Sequence, residues 1–337
     1  MTSAFDAIAK YSNISLDTLD VEDREFYENH FGIKFYNATS NQGICYGNWS
    51  KHPEVVIEAA RFVKTKTGAK ESTGDDFLEK VILYSIALSG KKQLQGLKHC
   101  VMSQIRPAYA DNEEKTFNYA MGIIHAYEDL GVDRSRVVIK IPVTWESMHA
   151  AYRLEHDEKV KCLGTVVHSF EQGVVAAEAG CTYIAPYVDT FSEVLDASTF
   201  SDPDPEDNYG VLLTRKLQKY YRAYGIKTEI VIAALIGYRS VLAVSGVDEM
   251  TLSPVILNKL LANKAPEGFK TPYLAKSYST KEAGEKISLF NDKKAYYAKF
   301  NANKTAVERY EQVKQFFTDA DNSSKKLLRG IFKESSI

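Results

Sequence analysis

Six polar residues stand at the ends of short apolar segments that are typical of buried β-strands. They are Asp17 in ISLDT, Asn41 in NATSN, Gln104 in CVMSQ, Lys140 in VVIKIP, Thr165 in LGT and Tyr187 in IAPY. Lys140 is the most unusual, because it is a lone amine in an apolar strand whose alternation places it inward with Val138. Burial disfavours the ammonium ion and lowers a lysine pKa, so Lys140 is predicted to be a neutral amine that can attack a carbonyl and form a Schiff base.

The elements that must position these residues alternate between short β-branched segments and longer helical ones, as in the βα units of a parallel sheet. The predicted strands lie near residues 14–16, 33–36, 100–103, 137–141, 163–167, 183–185, 230–233 and 250–252. Because no GxGxxG motif follows any of them, the pattern favours an α/β fold of the closed (β/α)8 TIM-barrel type over an open doubly wound sheet. The six polar residues are therefore expected to share the mouth formed by the carboxyl ends of the strands.

Capping residues predict where several helices begin and end. Asp111 with Glu114 predicts one helix start, and Gly131 is expected to end that helix in a left-handed conformation. The other capping signals are Ser169 with Gln172, Gly180, and Ser253 with Pro254. The acidic segment 202–208, which contains two prolines, is predicted to be a loop, and the apolar spacing over 294–317 predicts extra C-terminal helices packed on the barrel.

Composition narrows the class of protein. The 337 residues include 42 Lys and Arg against 44 Asp and Glu, a formal net charge of −2, which argues against nucleic-acid binding and a polybasic membrane surface. Hydrophobic residues make up 45% and charged residues 26%, as in globular proteins. The start does not read as a secretory signal, no apolar stretch approaches the roughly 20 residues of a membrane helix, and the four cysteines form no CxxC pair. We therefore expect a reduced cytoplasmic protein without a zinc site.

Several motifs resemble those of the transaldolases and the related fructose-6-phosphate aldolases. They are VIKIPVTWES around Lys140, the T-S-N segment from Thr39 to Asn41, EAGCTYIAPYV, GVDEMTLSP and the C-terminal KEAGEKIS. The similarity covers nearly the whole chain and implies a single domain over 1–337, with the barrel near 12–275 and a helical extension near 290–333. It also implies a lysine nucleophile on the fourth strand, no metal and no organic cofactor.

The resemblance implies roles for the two residues that would make and break bonds. Lys140 would form the imine with the substrate. Asp17 would act as general acid and base on the hydroxyl whose carbon–carbon bond breaks. Asp20 and Asp23 are competing candidates for that second role, and Asp17 has an alternative role as a helix cap or turn residue.

The resemblance also implies partners for the proton transfers. Asn41, with Thr39 in the same motif, would bind the donor hydroxyls, and Thr165 would orient a water that carries protons between imine and acid. Gln104 stands where transaldolases have a glutamate and Tyr187 where they have a phenylalanine, whereas the fructose-6-phosphate aldolases carry glutamine and tyrosine there. A glutamine cannot exchange a proton near neutral pH, so Tyr187 is the candidate acid, with a structural core tyrosine as the alternative.

The residues that bind substrate phosphate in both groups of enzymes are replaced. Thr190, beside Asp189, stands in place of the arginine after the sixth strand, and Ala234-Leu235-Ile236 in place of Ser-x-Arg after the seventh. Ala185 replaces the serine that precedes the proline. A carboxylate at Asp189 is expected to repel a dianion, so phosphate binding is predicted to be weak.

Three further polar residues near the predicted mouth have open assignments. Arg106 and Arg239 would either rebuild an anion site or form ordinary surface ion pairs. His168 would either assist proton transfer or be a structural or solvent-exposed histidine.

The sequence thus predicts an enzyme that makes or breaks a carbon–carbon bond through a Lys140 imine. The lost phosphate-binding residues favour an aldolase acting on an unphosphorylated or atypical carbonyl substrate. The alternatives are an ordinary transaldolase, which transfers dihydroxyacetone between sugar phosphates, and a non-catalytic barrel used for binding. The expected partner is a small carbonyl compound rather than nucleic acid or membrane. Because similar enzymes are often dimers, a homodimer is a further expectation.

Overall fold

The structure, a computed structural model, describes residues 3–68, 74–267, 269 and 277–335. Eight parallel strands in this part of the chain form a closed barrel in sequence order, which confirms the predicted (β/α)8 fold. They are β1 (Asn13–Leu16), β2 (Ala38–Thr39), β3 (Val101–Gln104), β4 (Val137–Pro142), β5 (Lys161–Val167), β6 (Tyr183–Pro186), β7 (Glu229–Ile232) and β8 (Glu249–Leu252). The barrel closes by pairing of β1 with β8, where Asn13 lies opposite Glu249 and Leu16 opposite Leu252.

The second predicted strand, 33–36, was wrong, because the strand is Ala38–Thr39. The Tyr36 N–H donates to the Ile14 carbonyl at 2.8 Å, but regular pairing with β1 begins only where Leu16 faces Ala38. The aromatic residues before it serve the packing of the barrel's amino end, where Tyr36 stacks on His99. A strand of two residues is too short to show alternation between apolar and polar residues. The prediction therefore fell on the apolar segment 33–36 that precedes it.

Helices cover the outside of the barrel. They are α1 (Ala4–Ala9), α2 (Val21–Phe31), α3 (Gln42–Lys51), α4 (Pro53–Thr67), α5 (Asp75–Leu94), α6 (Glu113–Asp129), α7 (Trp145–His156), α8 (Phe170–Glu178), α9 (Phe191–Leu195), α10 (Tyr209–Tyr224), α11 (Tyr238–Val244), α12 (Pro254–Ala262), α13 (Thr280–Ala283), α14 (Lys293–Ala302) and α15 (Lys304–Glu334). Since helices cover the strands on one face and side chains fill the barrel on the other, β4 is buried at all six positions. No helix in the described ranges has the length and apolar character needed to cross a membrane.

Most capping predictions are confirmed, with one correction. Ser169 and Gln172 form a capping box at the start of α8, and Gly180 has a φ of 78° just after that helix. Helix α6, however, is capped by Asn112, whose side chain accepts a hydrogen bond from the Lys115 N–H at 2.9 Å. The predicted cap, Asp111, instead forms an ion pair with Lys314 of α15.

The predicted C-terminal helices are present as α14 and α15. Asn303 separates them and caps α15 by accepting a hydrogen bond from the Ala306 N–H at 3.1 Å. Helix α15 contacts the segments that follow β2, β3 and β6, through Phe316 beside Gly43, Asp321 with Arg106, and Arg309 with Thr190. It therefore runs along the rim at the carboxyl end of the barrel, which is the end where function is expected.

The amino end of the barrel is closed by a buried polar cluster around Glu249. Ser15 donates a hydrogen bond to its carboxyl group, and the Asn37 amide donates to both carboxyl oxygens at 2.9 and 3.0 Å. Burial raises the pKa of Glu249 to about 7, the two hydrogen-bond donors oppose this rise, and the charge of Glu229 adds to it. The folded state therefore holds a proton that the unfolded chain releases near pH 4.3.

This linkage predicts a pH-dependent effect of Glu249→Gln. Because the folded pKa exceeds the unfolded one, the native protein loses free energy of unfolding as pH rises from about 4 to about 7. The variant has no carboxyl group to titrate at this position and does not lose this free energy. The free energy of unfolding of the variant minus that of the native chain should therefore rise by roughly 3 kcal/mol as pH increases across this window. Urea unfolding at a series of pH values measures the difference, with the exposed Glu308→Gln on α15 as a matched control. A difference that stays constant with pH would contradict the prediction.

Candidate active site

Lys140 lies inside the barrel near the carboxyl end of β4, with only 3% of its surface exposed. It faces Gln104 on β3 and Leu163 on β5. Burial lowers the pKa of the Lys140 amine, and the charges of Asp17 and Cys45 oppose this only in part. No hydrogen bond or ion pair in the described residues engages the amine. The inward, desolvated lysine expected from the sequence is therefore present.

Asp17 lies immediately after β1, close enough for its charge to act on both Lys140 and Tyr187. Its N–H donates to the Leu252 carbonyl at 3.0 Å, and the Thr39 hydroxyl donates to its Oδ1 at 2.5 Å. These two bonds tie the half-buried carboxylate to the closing strand on one side and to β2 on the other. Thr39, predicted together with Asn41 to bind the donor hydroxyls, therefore hydrogen-bonds to the Asp17 carboxylate.

The competing carboxylates have structural partners elsewhere. Asp20 caps α2 by accepting a hydrogen bond from the Glu22 N–H at 2.9 Å, and it forms an ion pair with Lys51 at 2.5 Å. Asp23 accepts a hydrogen bond from the Thr18 hydroxyl at 3.2 Å. Of the three carboxylates, Asp17 is the one whose charge influences the Lys140 amine.

Asn41 and Gln104 are both held by neighbouring side chains or backbone. Asn41 is the N-cap of α3, and its side-chain oxygen accepts a hydrogen bond from the Ile44 N–H at 3.0 Å, which leaves its NH2 group for a ligand. The Gln104 NH2 group donates to Gln42 at 2.6 Å, whereas its own oxygen is buried without a partner in the described residues. Gln42, which no sequence pattern singled out, is held in turn because its NH2 group donates to the Ile105 carbonyl at 2.9 Å.

Thr165, Tyr187 and His168 form the wall between β5 and β6. Thr165 is fully buried, and its hydroxyl lies beside that of Tyr187, whose pKa is raised by burial. The residue after Thr165, Val166, has a φ of 58°, and the register between β5 and β6 shifts at this point. This irregularity brings the next inward group, the His168 ring, edge-on to Tyr187 with 5.4 Å between ring centroids.

His168 is neither solvent-exposed nor satisfied as expected for a structural histidine. It is 1% exposed, and neither ring nitrogen has a hydrogen-bond partner in the described residues. Burial, together with the nearby charge of Arg309, lowers the His168 pKa to about 3. The ring is therefore neutral and offers one donor and one acceptor nitrogen.

The three positions predicted to have lost phosphate ligands are buried or hydrogen-bonded within the protein. Ala185 is buried in β6, and Ala234, after β7, has a φ of 56°. Thr190, at the N-cap of α9, accepts a hydrogen bond from Arg309 of α15 at 3.2 Å. Arg309, far along the chain, thus contacts Thr190, the residue predicted to replace an arginine.

The Asp189 carboxylate accepts four hydrogen bonds from groups of the protein that could otherwise bind an anion. One carboxylate oxygen accepts from the Ile236 and Gly237 N–H groups at 2.8 and 2.9 Å. The other accepts from the Asn208 amide and the Ser240 hydroxyl, both at 2.9 Å. Asp189 is 1% exposed, so its effect is to fill these donors rather than only to repel an approaching anion.

The two other arginines near the mouth are held by carboxylates. Arg106 is buried and pairs with Glu79 and with Asp321, the latter at 3.1 Å. Arg239 is exposed and pairs with Asp204 at 2.7 Å. Arg239 thus forms the surface ion pair that was one of its predicted alternatives, whereas the ion pairs of Arg106 are buried.

The comparisons with known proteins agree with this architecture. Residues 14–327 match the family model described as Transaldolase/Fructose-6-phosphate aldolase. The transaldolase of Saccharomyces cerevisiae is 30% identical over 279 residues, which is 80% of this chain and 82% of the relative. The transaldolase of Rattus norvegicus is 28% identical over 340 residues, 98% and 95% of the two chains. That of Methylobacillus flagellatus is 27% identical over 330 residues, 97% and 99% of the two chains.

The fold and these matches define an aldolase-type barrel enzyme. More narrowly, the chain belongs to the transaldolase/fructose-6-phosphate aldolase family. Within the described ranges, no group of three or more His, Cys, Asp and Glu side chains is arranged to hold a metal ion. The four cysteines are buried free thiols.

The bonds made by Asp189 lead to a prediction about stability. Asp189→Ala leaves two backbone N–H groups without an acceptor, so it should lower the free energy of unfolding by about 2 to 4 kcal/mol. Inorganic phosphate should then stabilise the variant more than the native protein, because the anion can refill the vacated donors. Thermal unfolding with and without phosphate at constant ionic strength measures both effects. Asp196→Ala, at an exposed position, is the control, and an unchanged midpoint for Asp189→Ala would contradict the assignment.

Proposed function

We propose that this protein transfers a ketol unit between carbonyl compounds through a Schiff base on Lys140. The observation that carries the proposal is the desolvated Lys140 amine, which has no protein partner in the described residues and lies close to the Asp17 carboxylate. A neutral amine is the nucleophilic form, and the carboxylate stabilises the cationic iminium that the reaction produces. The family membership supports the same chemistry, since the relatives compared above are named transaldolases.

The bond changes in the proposed reaction can be assigned to two side chains. The Lys140 nitrogen attacks the ketose carbonyl, and loss of water gives the iminium. Asp17 then removes the proton from the hydroxyl on the carbon beyond the bond that breaks. The electron pair of that bond moves into the iminium, so an aldehyde leaves and an enamine remains on Lys140. The enamine then attacks a second aldehyde, whose oxygen takes the proton back from Asp17, and water hydrolyses the resulting iminium to release the ketose and free Lys140.

The surrounding residues have supporting roles in this proposal. Thr39 holds the Asp17 carboxylate by its hydrogen bond, and the free NH2 group of Asn41 binds a donor hydroxyl. Thr165 and Tyr187 place adjacent hydroxyls where a water can pass a proton to the imine or enamine. Gln104 holds a water or substrate hydroxyl through its unpaired oxygen.

A second candidate function is an aldolase, in which the enamine takes a proton instead of a second aldehyde. Gln104 and Tyr187 favour it, because a glutamine cannot act as the proton relay and a tyrosine supplies an acid at the opposite wall. The names of the relatives favour transfer, so aldolase activity is the alternative. The ratio of enamine protonation to acceptor attack distinguishes the two.

Trapping the imine tests the proposed function directly. Borohydride in the presence of dihydroxyacetone should attach a stable mass to the peptide containing Lys140, and Lys140→Met should abolish both the adduct and turnover. Lys161→Met is a matched control on the neighbouring strand β5, where the lysine side chain donates to the Ser135 carbonyl at 3.3 Å. Mass spectrometry of tryptic peptides identifies the modified lysine. An active Lys140→Met enzyme would refute the mechanism.

The role of Tyr187 yields a separate prediction. Tyr187→Phe removes the acid but not the nucleophile, so turnover should fall by roughly 10² to 10⁴ while the borohydride adduct still forms. The exposed Tyr152→Phe provides a control for the substitution itself. Steady-state kinetics and adduct mass are measured on the same preparations. An unchanged rate for Tyr187→Phe, together with a faster Gln104→Glu enzyme, would place the proton route elsewhere.

A further inference from the structure

We propose that Gln172 is a positioning residue for the Schiff-base reaction. Its buried amide holds Val166 of β5 in a strained conformation and thereby fixes the neighbouring Thr165 relative to Lys140. The inference rests on the proposed function, because Thr165 is assigned there to the water-mediated proton transfers. It goes beyond the helix cap that the sequence predicts for Gln172, since two of the four hydrogen bonds of its side chain lie outside that cap.

Val166 has a backbone conformation that its side chain disfavours. It is fully buried and β-branched, and its φ of 58° lies in the left-handed region that favours glycine. Gly164 on one side of it pairs with Ile184. Val167 pairs with Pro186, so three steps along β5 match only two along β6, and β5 carries one extra residue. Such a conformation persists only where the surrounding structure holds it in place.

The Gln172 amide provides part of that restraint. It is fully buried in the first turn of α8, and its NH2 group donates to the Val166 carbonyl at 3.2 Å and to the Val143 carbonyl at 3.0 Å. Its oxygen accepts from the N–H groups of His168 and Ser169 at 2.8 and 3.1 Å. A glutamine amide has two donor hydrogens and two acceptor lone pairs, so all of them are used. Rotation of the amide would leave buried backbone groups unpaired, which is unfavourable.

These hydrogen bonds connect Val166 to the strand of the nucleophile. Val143 directly follows β4 and lies three residues after Lys140. Its N–H donates to the Thr165 carbonyl at 3.0 Å, while its own carbonyl accepts from Gln172. The two peptide groups that flank Val166 are therefore both bonded to groups outside β5, the first through the Thr165 carbonyl and the second through the Val166 carbonyl. Because these two peptide groups define φ and ψ, the strained conformation is fixed from both sides.

The same restraint reaches the opposite wall of the site. The Tyr187 N–H donates to the Val167 carbonyl at 3.2 Å, and the Tyr187 hydroxyl lies beside that of Thr165. If the two donor bonds of Gln172 are removed, Val166 should relax and displace both hydroxyls, whereas Lys140 remains on β4. A misplacement of about 1 Å can slow a reaction by about 10²-fold. The expected defect is therefore in the rate of proton transfer and not in the presence of the nucleophile.

Gln172→Glu separates this positioning role from helix capping. A glutamate keeps the acceptor oxygens of the capping box, but it supplies at most one donor, and none when it is ionised. Borohydride is added at a series of times after mixing with dihydroxyacetone at pH 8. The final amount of Lys140 adduct should equal that of the native enzyme, whereas the rate constant of its formation should fall by about tenfold or more. Gln312→Glu makes the same change at an exposed position of α15 and should keep the native rate.

A double-mutant cycle shows whether Gln172 acts through Thr165. Thr165→Val removes the hydroxyl and should slow adduct formation by itself. Adding Gln172→Glu to Thr165→Val should slow it further by about threefold at most, because the hydroxyl to be positioned is already absent. Two effects that multiply would refute the positioning role, and so would an unchanged rate in either folded single variant. Thermal unfolding shows that each variant is folded.

The remaining outcomes are also distinct. If the native enzyme forms no adduct with dihydroxyacetone, the proposed function fails, and this inference fails with it. If the adduct forms, only the cycle decides the role of Gln172. Should Gln172→Glu not fold, Gln172→Asn, whose amide is one methylene shorter, enters the same cycle under the same criteria.

Discussion

The burial of one amine governs this structure. Burial lowers the pKa of the Lys140 amine, and the closed parallel barrel provides this burial by holding β4 between β3 and β5 with all six of its positions covered. A buried lysine is costly for folding, and in the described residues the charge of Asp17 opposes part of the effect of burial without forming a direct ion pair. The low-pKa amine and the carboxylate are the two groups on which the proposed imine chemistry depends.

A negative charge at the mouth of the barrel, that of Asp189, is also held by groups of the protein. The wall after β1 is lined by Asp17, Asp20 and Asp23, so a further carboxylate at the mouth needs hydrogen-bond donors from the protein itself. The Asp189 carboxylate accepts from the backbone N–H groups after β7, whereas Nη1 of Arg309 has no partner among the described residues. The four hydrogen bonds of Asp189 therefore join the loops after β6 and β7 and the starts of α10 and α11.

Much of this arrangement could be read from the sequence. Alternation within VVIKIP indicated the inward lysine, and the capping box at Ser169 was visible because its bonds span only three residues. The second strand was missed because two residues carry no period, and the α6 cap was displaced by one residue because Asp111 and Asn112 are both good caps. Other features depend on packing between elements far apart in the chain. They are the bond of Gln42 to Gln104, the burial of the His168 ring and the bond of Arg309 to Thr190. No local pattern encodes them.

Helix α15 gives the last part of the chain a direct influence over the first. It extends along the rim and presents Arg309, Phe316 and Asp321 to three different strand ends. A single helix thus contacts the segments after β2, β3 and β6 together, so a shift of α15 would be felt at three strand ends at once. The contacts at this rim are therefore complete only when the last described helix has packed on the barrel.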